Sequence, residues 1–411
     1  MRVDTTLPGN RVGDEVVRAV NGLTKRWAAT IQDGTVFSAA GVWPLLALLA
    51  DGASGPARAE LSEAIGLPAD QAAGAARELL GALGGLPGVG SAVGLWTKRT
   101  VQVVPEWEAG LPAEAHGVLT GDLGADRRAL DAWAAHRTGG LIDRMPATLD
   151  EDTELVLAGA LTMRTRWLSP FDEVPLETAY EPWAATERLG LRHRSTLLDG
   201  VGVADTPHGW VTELKVPGTD VLDVHLLLGE EGTAPGRVLG AGVDLLHGPR
   251  TVVPGSRLPY GEAGPGLRVV EERCPAPAPP LLDVLTAAYE ITADHDLLQR
   301  PELFGLTTAR DTRQGHFPGI SGFPLAVGSA AQSALARFGA LGFHAAAVTT
   351  VGAYGAGMPP LRHVRRRVDA VFDRPFGFLA LHRHSRLVLA AGWVTDPVPF
   401  RRHPEDSWDD E

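Results

Sequence analysis

The stretch VFDRPFGFLALHRHSRLVLAAGWVTDP occupies residues 371–397 and contains two apolar runs. The first, FGFLALHR, covers residues 376–383, and the second, RLVLAAGWV, covers residues 386–394. Both are rich in the aromatic, branched and leucine side chains that favour β-strands, so two adjacent strands are predicted. Far upstream, LVLAGALTMR at residues 155–164 has the continuous apolar character of a buried strand.

Other strands are predicted mainly in the second half of the chain, and helices mainly in the first. Predicted strands are WVTELKVP (210–217), VLDVHLLLG (221–229) and SALARF (333–338). Predicted helices include residues 12–30, 43–51, 70–83 and 126–137, with two later ones at 281–289 and 296–300. Helices early and strands late, with no long linker, favour one α+β domain with large sheets.

Composition excludes several classes of protein. Hydrophobic residues make up 44% of the 411 residues, which argues against general disorder. The 37 basic and 50 acidic residues give a formal net charge of −13, so neither nucleic acid nor an anionic membrane is expected as the main partner. Only one cysteine, Cys274, is present, which excludes an internal disulfide. Scarce lysine and abundant Ala, Gly and Pro suggest GC-rich coding and an actinobacterial-looking, bacterial source.

No sequence motif identifies a cofactor or catalytic site. The glycines between residues 84 and 94 lack the spacing of a dinucleotide loop, and GISGF at 319–323 is not a nucleophile elbow. His382 and His384 could form a two-ligand metal site, but surface strand residues are the favoured interpretation, so neither a metal nor a cofactor is predicted. The basic run from Arg362 to Arg367 is a solvated loop, a polyanion patch or protease bait.

Five segments, in order, resemble the serpin family. They are residues 21–68, which end in AIGLP; DAWAAHRTGGLIDRM (131–145); DTELVLAGALTMRTRWLSPFD (152–172); ELFGLTTARDTRQGHFPGISGF (302–323); and the C-terminal stretch 371–397. The resemblance covers residues 12–398. It implies a single domain with three β-sheets, eight or nine helices and an exposed reactive-centre loop at about 342–367. Residues 1–11 and 399–411 are expected to be an N-terminal tail and an acidic C-terminal tail.

The resemblance also implies a mechanism. In inhibitory serpins a protease cleaves the reactive-centre loop and forms an acyl-enzyme, after which the loop inserts into the large central sheet and carries the protease with it. Such a protein is a monomeric, single-use trap for serine proteases or, in some cases, cysteine proteases. It is not an enzyme.

The hinge that starts the insertion departs from the family pattern. The family hinge is roughly E-E-G-T-E-A-A-A-A-T, and here Ala340-Leu341 replaces the two glutamates. Gly342 is kept, but Phe343 replaces the first inserting threonine. A bulky side chain there could slow insertion, or it could occupy an apolar pocket of its own. The remaining hinge residues are Ala345, Ala346, Ala347, Val348 and Thr349.

The region where the sheet opens differs as well. Ser38 matches the first family serine, whereas Gly41, Gly159 and Gln332 stand where the family usually has serine, asparagine and histidine. We expect three polar partners to be missing beneath the sheet.

The scissile bond has three candidates. Counting fifteen residues from Gly342, as in inhibitory relatives, gives Ala356-Gly357, whereas counting back from Asp373 leaves Arg362. Met358 is the third. Of these, Ala356-Gly357 is preferred, because the distance from hinge to bait is set by how far the loop must insert.

Three functions therefore remain open. The first is inhibition of serine endopeptidases, the second is a non-inhibitory binding or scaffold protein, and the third is a serpin fold recruited as an enzyme of small-molecule biosynthesis. The N-terminus lacks the apolar core of a signal peptide, so a cytoplasmic location is expected, with export by another route as the alternative.

Overall fold

The computed structural model describes residues 12–112, 115–247, 251–343 and 362–401. This part of the chain forms eight α-helices: α1 (Asp14–Ala28), α2 (Ala39–Gly52), α3 (Gly55–Ile65), α4 (Ala69–Gly84), α5 (Pro105–Ala109), α6 (Leu123–Thr138), α7 (Pro235–His247) and α8 (Pro301–Phe304). Within it, no helix combines the length and apolar character that a membrane span requires.

Twenty strands accompany the helices. In chain order they are β1 (Thr35–Phe37), β2 (Val89–Lys98), β3 (His116–Leu119), β4 (Leu155–Met163), β5 (Thr165–Arg166), β6 (Asp172–Leu176), β7 (Arg188–Ser195), β8 (Val201–Thr206), β9 (Gly209–Pro217), β10 (Leu222–Gly229), β11 (Val253–Pro254), β12 (Gly261–Gly264), β13 (Leu267–Cys274), β14 (Leu281–Ala287), β15 (Tyr289–Asp296), β16 (Val327–Phe338), β17 (Gly342–Phe343), β18 (His363–Val371), β19 (Phe376–His382) and β20 (Val388–Val394).

Sheet I contains the buried strand predicted around residue 160. Its order is β3-β2-β4-β16, with β15 on the far side of β16 and with β17 and β5 extending one end. Strands β4 and β16 pair in parallel, from Leu155 beside Val327 to Leu161 beside Ala334. The other neighbours of these two strands, β2 and β15, are antiparallel. One parallel pair therefore lies in the middle of a largely antiparallel sheet.

Sheet II contains the two C-terminal strands with which the sequence analysis began. Its order is β1-β20-β19-β10-β9-β8-β11, and all of β20 is buried. Helix α1 supports this part of the core through Val16, Val17, Val20 and Trp27, which lie on one face of the helix as their spacing predicts.

Sheet III has the order β12-β13-β18-β14-β7-β6. Strand β14 occupies residues 281–287, so the helix predicted at 281–289 is wrong. Residues 296–300 hold only a short 3₁₀ turn, Leu297–Gln299, in place of the second late helix. Strand β14 pairs with β7 on one edge and with β18 on the other, and these ladders override the helix-like spacing of its leucines.

Candidate functional site

The parallel contact of β4 with β16, which we call the seam, is built from small and apolar residues. All nine residues of β4 are buried. Ala158 and Ala160 of β4 and Ala331 of β16 pack with Leu130 and Ala134 of α6 on one face. On the opposite face, Gly159 lies so close to α2 that an added Cβ would stand 2.8 Å from the carbonyl oxygen of Gly41. The seam is thus enclosed between two helices.

At the end of the seam the two strands separate, and a new short strand begins between them. After β16 the chain turns at residues 339–341, where the amide of Gly339 donates to the carbonyl oxygen of Gly342 at 3.1 Å. Gly342 and Phe343 then run antiparallel to Arg166 and Thr165 of β5. On the other side, Phe343 pairs with Phe338 of β16. Strand β17 is therefore the start of a strand inserted between β5 and β16.

The turn before β17 is held by Trp167 and Phe171. The backbone amide of Trp167 donates to the carbonyl oxygen of Leu341 at 3.0 Å, and that of Phe171 donates to Ala340 at 2.9 Å. The indole Nε1 of Trp167 donates to the carbonyl oxygen of Gly339 at 2.9 Å. Sequence analysis gave Trp167 and Phe171 no role beyond the family resemblance, because a bond to the hinge backbone has no sequence signature.

The two residues of β17 fit between their neighbours in different ways: Gly342 because it has no side chain, and Phe343 because its ring is buried. A Cβ on residue 342 would come within 2.2 Å of the carbonyl oxygen of Thr165, so only glycine is accommodated. The Phe343 side chain is 1% exposed, with its ring centroid 6.4 Å from that of Phe378 in sheet II. Phe343 therefore occupies an apolar pocket, which was one of the two possibilities left open by the sequence.

The residues predicted at the sheet-opening region meet beneath the seam. Gln332 is fully buried, and its side-chain amide makes two hydrogen bonds with the backbone of Ser38. The amide of Ser38 donates to Oε1 at 2.8 Å, and Nε2 donates to the carbonyl oxygen of Ser38 at 2.7 Å. The expectation that polar partners are missing here is therefore wrong for Gln332. A glutamine can both donate and accept through its amide.

Ser38 also ties this region to its neighbours. Its Oγ donates to the carbonyl oxygen of Leu389 in β20 at 2.6 Å and accepts from the amide of Gly41 at 3.0 Å, which caps α2. A missed residue lies next to it: His295 of β15 pairs with Gln332, and its Nε2 is 2.8 Å from the carbonyl oxygen of Val36. Burial lowers the pKa of His295, so this ring is neutral near pH 7.

Most of the predicted bait lies outside the described residues. This applies to Ala345, Ala346, Ala347, Val348 and Thr349 of the hinge and to Ala356, Gly357 and Met358 of the scissile candidates. Arg362 is described and exposed, immediately before β18 begins at His363.

The remaining arginines of the basic run are not in an exposed loop, contrary to the prediction. Arg365, Arg366 and Arg367 belong to β18 and are half-buried. Arg365 and Arg367 both pair with Glu272 of β13, the latter at 3.1 Å, and Arg367 also reaches Asp283 of β14 at 3.1 Å. The sequence could not show this, because both carboxylates lie more than 80 residues away.

Asp283 is the centre of this arginine–carboxylate network, which comprises Arg192, Arg194, Glu272, Asp283, Arg365 and Arg367. The Asp283 carboxylate accepts from Arg192 at 2.5 Å and lies 3.3 Å from Arg194. Burial alone would raise the pKa of Asp283, but hydrogen bonds from Arg192 and the three arginine charges outweigh it and lower the pKa. The hydrogen bond from Arg365 likewise lowers the pKa of Glu272.

The two histidines considered as possible metal ligands lie close together. His382 ends β19 and His384 lies in the following turn, with ring centroids 5.6 Å apart. Nδ1 of His382 is 2.8 Å from Oγ of Ser385, and burial lowers the pKa of this ring. Within the described ranges, no group of three or more His, Cys, Asp or Glu side chains is placed to hold a metal ion.

Comparison with known proteins gives one consistent family. The family model described as Serpin (serine protease inhibitor) matches residues 20–186. Serpin-Z6C of rice (Oryza sativa subsp. japonica), which carries that name provisionally, is 27% identical and aligned over 88% of this chain and 90% of its own length. Serpin-Z8 of rice is 25% identical over 76% of each chain.

Solved structures show the same fold. Human thyroxine-binding globulin superposes with a TM-score of 0.70 at 16% identity and covers 94% of this chain and 98% of its own. The thermophilic serpin Tengpin, in its native state, gives a TM-score of 0.70 at 14% identity over 95% and 96% of the two chains. Three sheets arranged in this way, with eight helices in the described part, are the serpin fold. The chain therefore has the serpin fold, and its residues 20–186 match the serpin family model.

Proposed function

We propose that this serpin inhibits serine endopeptidases by cleavage of the segment 344–361 and insertion of the freed end into the seam. One observation carries the proposal: β17 already runs antiparallel between β5 and β16, directly above the seam. A chain that continued along β17 would separate β4 from β16 and become antiparallel to both.

Insertion of this kind should be favourable because it adds backbone hydrogen bonds to sheet I. It replaces one parallel ladder by two antiparallel ladders, and parallel pairing is the less stable of the two per residue. About ten inserted residues would gain on the order of ten backbone hydrogen bonds, each with a net contribution of about 1 kcal/mol.

The sequence after β17 suits such a strand. Side chains alternate between the two faces of a strand, and Phe343 faces the interior. If the strand continued, residues 345, 347 and 349 would share that interior face, and these are Ala, Ala and Thr. Small residues fit a close-packed sheet interior without displacing their neighbours.

The structure also favours Ala356-Gly357 over Arg362 as the scissile bond. Cleavage after Arg362 would require a peptidase to bind His363 and Val364, which are already paired with Cys274 and Arg273 of β13. Residues held in a sheet ladder are poor peptidase substrates, because cleavage needs a locally unfolded chain.

The test is to mix the protein with subtilisin, elastase and trypsin and to separate the products by denaturing gel electrophoresis. We expect a covalent adduct with subtilisin or elastase and a released C-terminal peptide that begins at Gly357. A peptide that begins at His363 would identify Arg362 as the bait, and one that begins at Pro359 would identify Met358.

Two matched variants test the insertion itself. Ala347→Arg would place a charge on the interior face, so cleavage should continue without an adduct. Ala346→Arg, one residue earlier, would face outward and should leave trapping intact. Equal behaviour of the two variants would contradict insertion in register with Phe343.

A second candidate function is a non-inhibitory binding or scaffold protein. It is favoured by the buried Phe343 and by the paired hydrogen bonds between Gln332 and Ser38, both of which hold sheet I in its present form. Cleavage without an adduct for every peptidase in the panel would favour this candidate. Nothing in the described part of the chain favours the recruited-enzyme alternative.

A further inference from the structure

An apolar surface lies where the segment 344–361 rejoins the described chain. Three large side chains are exposed there: Val364 by 56%, Tyr260 by 54% and Leu197 by 75%. Val364 is the second residue of β18 and lies two residues after Arg362. We call this surface, with its bordering arginines Arg257, Arg273 and Arg362, the platform.

Arg366 connects the parts of the platform. Its guanidinium lies 4.9 Å from the centre of the Tyr260 ring, and its Nη2 donates to the carbonyl oxygen of Leu258. The same group is 3.5 Å from the carbonyl oxygen of Gly255. Gly255 in turn packs against the backbone of Leu198, since a Cβ on Gly255 would stand 2.1 Å from the Leu198 carbonyl oxygen. Arg366 thus links Tyr260 to the turn that carries Leu197, and Val364 lies two residues from Arg366, on the same face of β18.

The border of the platform is rich in arginine, although the whole chain carries a net charge of −13. Arg273 pairs with Val364 in the β13–β18 ladder, and Arg362 precedes β18. Both are exposed and have no carboxylate partner within the described part of the chain. Arg257 lies near Asp199, and Glu271 adds a second negative charge. An apolar centre with a cationic border fits a partner surface of apolar and acidic residues.

The position of the platform determines which partner could reach it. From Gly357 to Val364 the chain spans at most about 25 Å, at roughly 3.5 Å per residue. A peptidase of about 220 residues has a radius of gyration of about 17 Å. The platform therefore lies within reach of a peptidase bound at Ala356-Gly357.

We infer that the platform is a second contact surface for the peptidase that binds the segment 344–361. The inference rests on the proposed function and adds a partner preference: peptidases whose surface beside the active-site cleft carries apolar residues and carboxylates. Such a contact would raise the rate of encounter and retain the peptidase before cleavage, without taking part in insertion.

The test measures the second-order rate of adduct formation with the peptidase of the panel that is trapped fastest. Leu197→Ser combined with Val364→Thr should lower this rate at least tenfold and leave the stoichiometry of trapping unchanged. Arg273→Glu should lower it several-fold at about 0.05 M salt and less at about 0.2 M, because salt screens exposed charges. Matched controls are Phe323→Ala, another exposed aromatic residue, and Arg268→Glu on the same strand as Arg273.

A second readout separates this inference from the proposed function. Binding of each variant is measured to the same peptidases with the nucleophilic serine replaced by alanine, which cannot form an adduct. If the platform variants bind more weakly and the wild type forms no adduct, the platform is supported as a contact surface and the trapping mechanism is rejected. The platform variants could instead form normal adducts, with rates and binding within twofold of the wild type. That result would reject the platform as a contact surface and would leave the proposed trapping mechanism intact. No adduct and no difference in binding would reject both.

Discussion

The seam and strand β18 lie at opposite ends of the same segment, and they are held in opposite ways. At the seam, β4 and β16 share one parallel ladder lined by alanine and glycine, and Gln332 is the buried side chain that links it to Ser38. Strand β18 pairs with β13 over eight residue positions and with β14 over five. The arginine–carboxylate network adds ion pairs across these three strands. The contact between β4 and β16 thus rests on one ladder of small residues, whereas β18 is paired on both edges and is also held by ion pairs.

If the segment 344–361 inserts as proposed, this difference implies that cleavage must precede full insertion. The segment 344–361 has 18 residues. If n of them enter the seam at about 3.3 Å each, the rest must return to Arg362 at no more than about 3.5 Å each. With Arg362 no deeper along the seam than Phe343, n cannot exceed about 9. Deeper insertion of the uncut chain would require β18 to leave sheet III. The two ladders and the network resist that step.

The largest expected effect comes from closing the seam covalently. Ala160 and Ser333 are partners across the β4–β16 ladder, at a spacing that a disulfide can bridge. The double variant Ala160→Cys/Ser333→Cys, when oxidised, should be cleaved by the panel peptidases but form no adduct. Reduction should restore trapping, and each single variant should behave as wild type. An adduct formed by the oxidised protein would show that the seam does not need to open.

A second effect concerns β18. Asp283→Asn leaves three arginines without their buried carboxylate and should lower the free energy of unfolding by about 3–5 kcal/mol. For 411 residues, at an unfolding entropy of about 2.1 cal/mol/K each, the melting temperature should fall by about 4–6 °C. Glu262→Gln, which removes an exposed ion pair with Arg268, is the control and should change little.

The pH dependence of that effect has a definite sign. Because the folded-state pKa of Asp283 is lowered, its carboxylate stabilises the protein fully above the unfolded pKa and progressively less as pH falls through the folded value. The difference in stability between wild type and Asp283→Asn, measured by urea unfolding, should therefore be largest near pH 7 and shrink below about pH 4. A difference independent of pH would mean that packing, and not charge, is responsible.

A third prediction concerns Phe343, at the end of the seam where β17 begins. Phe343→Ala removes a buried ring and should lower the free energy of unfolding of the uncut protein by about 3 kcal/mol. Phe323→Ala removes an exposed ring and serves as the control. Equal stabilities of the two variants would contradict the buried position of Phe343.

The smallest effect is expected beneath the seam. Gln332→Met keeps the side-chain volume but removes both hydrogen bonds with Ser38, leaving a buried backbone amide and carbonyl without these partners. The free energy of unfolding should fall by about 2 kcal/mol. Trapping should persist in Gln332→Met, since the seam would open more easily. Loss of trapping would assign Gln332 a role in insertion itself.

The sequence predicted the parts of this fold that depend on local apolar patterns. Helix α1, the strand β4 and the strands β19 and β20 all follow from such patterns, and the ordered motifs indicated the serpin fold. Strand β14 was missed because its ladders with β7 and β18 involve residues distant in sequence. For the same reason Arg365–Arg367 were assigned to a loop, and the bonds between Gln332 and Ser38, 294 residues apart, were not foreseen. The expected bacterial source stays a prediction.

The central claim, that the freed end of the segment 344–361 completes sheet I, is tested most directly by the melting temperature before and after a single cut. The cut is made by limited subtilisin digestion, and its position is read by mass spectrometry. An inserted strand of about ten residues, with about 1 kcal/mol per backbone hydrogen bond, should raise the melting temperature by about 10 °C or more. The oxidised Ala160→Cys/Ser333→Cys protein, cut in the same way, should show no rise. An unchanged melting temperature of the cut wild type would contradict the account.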